Sequence, residues 1–148
     1  MKTRYLKTAF LLILCTLFSC DNDDGNAANE TMCNFQGLSY LDSTNSEEIL
    51  VSDTDIKTQF FPNAANGPFG EPGFEIVSNT ANTSFFFTTN AIVLNQTGIG
   101  RFILNNGAEQ LATVTCQRAG NMVGDEVRLD VTVGPIEMEF CVSIDEVL

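Results

Sequence analysis

The residues able to do chemistry in this chain are carboxylates, cysteines and aromatic rings, because histidine and tryptophan are absent from all 148 positions. Asp42, Glu47, Glu48, Asp53 and Asp55 follow one another with no cation before Lys57. Calcium takes six to eight oxygens, which carboxylates on a loop can converge to supply, so these five are the candidate calcium ligands. Their spacing is not that of an EF-hand, and no other cofactor is implied. Without histidine there is no Ser-His-Asp triad and no Cys-His pair. Gly98-Ile99-Gly100 lacks the third glycine of a dinucleotide fingerprint. Two carboxylates can hydrolyse a glycoside, but 19 of them single out no pair. The chain is read as non-enzymatic.

A second candidate is the stretch 60–74, which holds Phe60, Phe61, Phe69 and Phe74 among three glycines and three prolines. Loops at the end of a β-sandwich are where such folds place binding sites. An aromatic ring there can stack on a sugar face, although the lack of tryptophan counts against a carbohydrate ligand. The alternative is that these rings plug the end of the fold. In Phe85-Phe86-Phe87, consecutive residues of a strand face opposite sides, so at least one ring must leave the face its neighbours use. Burial on both faces is the expectation.

The N-terminus carries a different signal. Lys2, Arg4 and Lys7 precede an apolar run over 9–18, which ends in Ser19-Cys20. Basic start, short apolar core and small residue at the cut form a secretory signal peptide. The run is shorter than the roughly 20 apolar residues a membrane helix needs. Leu17-Phe18-Ser19-Cys20 resembles the lipobox of bacterial lipoproteins. That resemblance implies a lipidated Cys20, carrying diacylglycerol and palmitate-type chains, and a mature protein held on an envelope membrane by its acyl groups. The following 21–30 is polar and acidic, too poor in apolar residues to fold, and reads as a flexible tether. It also resembles the acidic export tag of Bacteroidota-type surface lipoproteins, which implies an outer-membrane protein displayed outward. An aspartate after the lipidated cysteine implies inner-membrane retention in some enterobacterial lipoproteins, so the residues leave the membrane open. Asp42-Ser43-Thr44 resembles the short O-glycosylation signal of the same exported proteins, with Ser43 as acceptor.

The organisation is therefore a signal peptide at 1–19, a lipidated cysteine and tether at 20–31, and one domain at 32–148, large enough for its own core. Beyond the signal peptide only Lys57, Arg101, Arg118 and Arg128 oppose 19 carboxylates, a formal charge of −15. Such a surface repels phosphate backbones and anionic membranes, which argues against nucleic acid as a partner.

From Cys33 onward, short apolar runs alternate with Gly, Asn and Pro clusters. The runs 35–41, 58–61, 73–77, 83–89, 91–94, 100–104, 111–117, 126–133 and 136–144 predict about nine strands. The class is all-β: an antiparallel β-sandwich, Ig-like or jelly-roll-like, with a barrel as alternative. Val127, Leu129, Val131 and Val133 alternate with polar residues, as do Ile136, Met138, Phe140, Val142 and Ile144. Gly134-Pro135 would join the two runs as a hairpin, or Pro135 would start an edge strand. Residues 43–55 hold the only plausible helix, one turn at 46–51, with a loop leading into a strand as the alternative.

Three cysteines remain for one exported disulfide. Cys116 lies on an apolar face and Cys141 on a polar face. In a meander they sit about 10 Å apart, beyond the roughly 7 Å a disulfide spans. The predicted bridge is Cys33 with Cys116 or with Cys141. The chain is read as a lipid-anchored envelope protein binding a glycan or a protein partner. The rival reading is a structural or accessory subunit of a periplasm-facing envelope complex. The lipobox predicts that mass spectrometry of the membrane-extracted protein finds a mature N-terminus at an acylated Cys20. Cys20→Ser is expected to move the chain out of the membrane fraction; an unmodified Cys20 in an uncleaved chain would contradict the reading.

Overall fold

The computed structural model describes residues 33–42 and 46–148. The signal segment, Cys20, the tether and Ser43 lie outside the described residues. Ten strands follow in order: β1 (Gly37–Asp42), β2 (Glu47–Ser52), β3 (Ile56–Phe61), β4 (Gly73–Asn79), β5 (Ser84–Thr89), β6 (Thr97–Leu104), β7 (Gln110–Arg118), β8 (Glu126–Val133), β9 (Ile136–Ser143) and β10 (Glu146–Val147). They form one sheet, in the order β10-β3-β4-β5-β6-β7-β8-β9-β1-β2. All neighbours are antiparallel except β10, which runs parallel to β3 and makes the sheet mixed.

The sheet curls into a half-barrel, and the reason lies in its aromatic residues. Phe87 on β5 stacks on Phe140 of β9, ring centroids 4.9 Å apart, and Phe85 meets the same ring edge-on at 5.5 Å. In a flat sheet these strands, four spacings apart, would be separated by about 19 Å. Curling brings both walls onto one interior, where Phe74, Phe87, Phe102, Phe140, Leu38, Ile76 and Leu129 are fully buried. Gly100 makes room for this packing: a Cβ there would lie 2.7 Å from the Phe87 ring and 2.8 Å from Val114. Of the three consecutive phenylalanines, Phe85 and Phe87 point inward, while Phe86 is half-buried on the outer face. Its cross-strand neighbours there are Val77 and Ile103.

The β8–β9 hairpin follows its sequence pattern closely. Val127, Leu129, Val131 and Val133 pack inward opposite Val142, Phe140, Met138 and Ile136. Gly134 takes φ 58 in the two-residue turn, a value that suits a residue without Cβ. Pro135 sits in that turn, and β9 is an interior strand between β8 and β1.

After β9 the chain crosses within two residues to the opposite end of the sheet order. Asp145 N donates to Thr58 O at 2.9 Å, Thr58 N donates to Asp145 Oδ2 at 2.6 Å, and Leu148 N donates to Phe60 O at 2.9 Å. The Glu146 carboxyl accepts from Gln59 Nε2 at 2.8 Å and pairs with Lys57 at 3.0 Å. Those partners, Gln59 first, hold it below the usual carboxylate range. The C-terminal residues thus cover the edge of β3 and link the two walls.

Besides the purely antiparallel arrangement, which the parallel β10 breaks, two expectations change. Residues 46–51 form no helical turn. Glu47–Ser52 is strand β2, because Ile49 and Val51 alternate inward against β1, and a 3-10 turn at Asp53–Asp55 follows. The run 91–94 is not a strand, since β5 pairs directly with β6 and leaves it no place in the sheet. The Thr89 hydroxyl accepts from Ala91 N, and Asn95 N donates to Cys116 O.

Cys116 is buried in the core as a free thiol. Burial pushes its pKa up to about 11, from an ordinary value of 9.0. The folded protein keeps a proton that the unfolded chain gives up above pH 9, so stability is lost as pH rises from about 9 towards 11. Cys116→Ala removes this component. The urea midpoint of the wild type is expected to fall more steeply than that of the variant across this window; parallel curves would contradict it.

Candidate functional site

Strands β8, β9, β1 and β2 lie side by side, and their polar residues share the outer face. One row crosses this face as Asp130, Glu139, Ser39 and Leu50, each opposite the next. Beside it, Thr132 opposes Glu137 and Leu41 opposes Glu48. Between the rows runs a groove of about 630 Å³, which Ser39, Leu41, Glu48, Asp130, Glu137 and Glu139 help to line. Leu41 and Leu50 are about half exposed here. Tyr40 also lines the groove, and its phenol is pushed up by burial and then by the Asp42 carboxylate, so it stays neutral.

One end of this face is locked by a disulfide and ion pairs. Cys33 is bonded to Cys141, with Cα atoms 5.9 Å apart. Strand parity explains the choice: Cys116 faces the core opposite Leu129, whereas Cys141 faces outward opposite Arg128. Glu126 accepts from Arg118 Nη1 at 2.6 Å and from Gln36 Nε2 at 3.0 Å. Cys33 Sγ lies 3.3 Å from Glu126 Oε1, but Cys33, Cys141 and Glu126 form no metal site because both sulfurs are spent in the bond. Arg128, 9% exposed, pairs with Glu139 at 3.0 Å and approaches Asp130 at 3.8 Å. Asn34 N donates to Glu139 at 3.4 Å, which holds the segment before β1 against the outer face.

No protein family, curated protein or solved structure matches this chain.

The aromatic candidate loop divides. Phe60 and Phe74 are core residues with ring centroids 5.2 Å apart, and Phe61 is half-buried. Of the four, Phe69 alone is exposed, at 40%, with its backbone at φ 56. The Arg101 guanidinium lies 4.5 Å from its ring centroid, a cation–π contact, and also pairs with Glu109 at 3.3 Å.

The five candidate calcium ligands do not converge. Asp42 faces Glu47 at one end of the β1–β2 hairpin. Asp53 lies at the other end, about 20 Å along the strand, where its carboxylate accepts from Ser143 N at 3.1 Å. Glu47 and Glu48 point to opposite faces, and Asp55 is exposed.

Sequence reasoning missed the Arg118–Glu126 and Arg128–Glu139 pairs. The signal for the second was present: a two-residue turn at Gly134-Pro135 sets a register that puts Arg128 opposite Cys141 and beside Glu139. Removing one partner of a nearly buried pair leaves an uncompensated charge, so Arg128→Met is expected to cost about 3 kcal/mol. Adding Glu139→Gln should recover part of that loss in urea denaturation; no recovery would show that the pair is not the cause.

Proposed function

We propose that this protein is a lipid-anchored envelope lipoprotein whose domain is a non-catalytic binding module for a protein partner, the two walls of the half-barrel packing in the manner of a β-sandwich. The observation that carries the reading is the edge of β2, which among the described residues pairs only with β1 and ends the sheet order. At the other end, β10 covers part of the β3 edge. An uncovered edge offers backbone N–H and C=O groups to an added strand.

Charge supports a cationic partner. Each of the four described cations is already in an ion pair. Glu48 on β2 and Glu137 in the adjoining groove have no ion pair among the described residues. An extended segment bearing Lys or Arg would find a free edge, two exposed leucines and uncompensated carboxylates together. A second copy of this chain would bring like charge to the same face. The glycan reading loses support because Phe60 and Phe74, two of its aromatic rings, belong to the core. Outer-membrane display and a structural role in a periplasm-facing complex both fit this surface.

A photo-crosslinking residue at Leu50, in the full chain in its own cells, is expected to capture one discrete protein. The same residue at Leu111, on β7 four strands away, should not. The adduct should disappear with Glu48→Lys and Glu137→Lys together. No adduct at Leu50, or one indifferent to charge reversal, would sink the proposal.

A further inference from the structure

The loop between β7 and β8, residues 119–125, exposes two adjacent apolar side chains, Met122 at 64% and Val123 at 65%. Its backbone is braced. Asn121 N and Met122 N donate to Asp125 Oδ2 at 2.9 and 3.0 Å, and Asp125 N donates to Met122 O at 3.0 Å. Those two amides hold the Asp125 carboxyl below the usual carboxylate range. Gly124 N donates to Ile144 O at 2.8 Å, and Ile144 N donates to Asp125 O at 2.9 Å, which ties the loop to the link between β9 and β10. Met122 and Val123 are therefore presented on a fixed turn, with no described residue covering them.

The loop lies at the end of the domain where the chain comes in. Glu126, next to Asp125, touches both Arg118 and Cys33. Twelve residues separate Cys33 from Cys20, a reach of at most about 45 Å. The Cys33–Cys141 bond fixes the tether's point of attachment beside this loop. The loop's own Asp125 is engaged by its amides, and the adjoining Glu126 by Arg118 and Gln36.

We infer that the Met122–Val123 apex is a membrane-contact site, seated in the interfacial layer of the bilayer that carries the lipid anchor and orienting the domain on it. The inference rests on the reading of Cys20 as lipidated. Two apolar side chains on a rigid turn suit the boundary of headgroups and acyl chains, where they leave water without requiring the acidic domain to follow. Apposition of this end also leaves the open edge of β2 free for the partner.

The test uses the absence of tryptophan from the chain. Val123→Trp and, separately, Met122→Trp each install a single reporter in the full mature protein, acylated and reconstituted in phosphatidylcholine vesicles. Leu111→Trp, near the other end of β7 and about 20 Å away along the strand, is the control. The apex reporters are expected to shift to the blue and to be quenched several-fold more than the control by phosphatidylcholine brominated high on its acyl chains. Co-flotation with vesicles and the mass of the N-terminal peptide report the anchor separately. Protein that floats with the vesicles while its apex reporters stay as exposed as the control overturns the membrane-contact site alone. Protein that carries no acyl group and does not float overturns the anchor reading, and the site falls with it.

Discussion

The fold depends on one aromatic contact, the stack of Phe87 on Phe140 across the interior. Antiparallel pairing by itself specifies a twisted ribbon of strands with no required curvature. The stack, backed by Phe85 and by the space left at Gly100, draws β5 and β9 together and turns one sheet into two facing walls. Apolar residues that a flat sheet would leave wet are thereby buried against each other, which is the main source of stability in a domain of this size.

The two ends of the curled sheet are managed differently. β10, hydrogen-bonded along β3 and held by Gln59 and Lys57, follows directly on β9, the strand that carries Phe140 of the stack. Curl and closure therefore support each other. At the other end, the β1–β2 hairpin hangs from β9 through β1, and the disulfide at Cys141 secures the residues just before it. The scarce cations are used inside this framework, Arg118 and Arg128 pinning polar residues of the outer face. Beside this framework, Glu48 on β2 and Glu137 on β9 have no ion pair among the described residues.

Much of the wall around the hairpin was legible in the residues. Strict alternation over 126–133 and 136–144, with Gly134-Pro135 between, yields the strands, the turn and the inward set. The same parity puts Cys141 outside and Cys116 inside, which is why these two do not bond. Less legible was β2, where Glu47 and Glu48 precede an apolar triplet as they would at a helix start. Its strand state comes from pairing with β1. The run 91–94 has strand-like residues, but local bonds from Thr89 and Asn95 hold it outside the sheet. The candidate groove was hidden altogether, because its two sides are about a hundred residues apart in the chain.

The sequence by itself determined the β class and, where alternation is strict as in 126–133 and 136–144, the turn and the face on which each strand residue lies. Those follow from local sterics and from a period of two, which a few neighbouring residues are enough to express. The tertiary structure decided that β1 docks on β9, that Phe140 meets Phe87, that Cys33 reaches Cys141, and that β2 ends the order of the described strands. Each of these joins segments distant along the chain. No local preference selects such a partner; it is chosen by the shape of the shared core and by which edges remain unpaired once that core has closed.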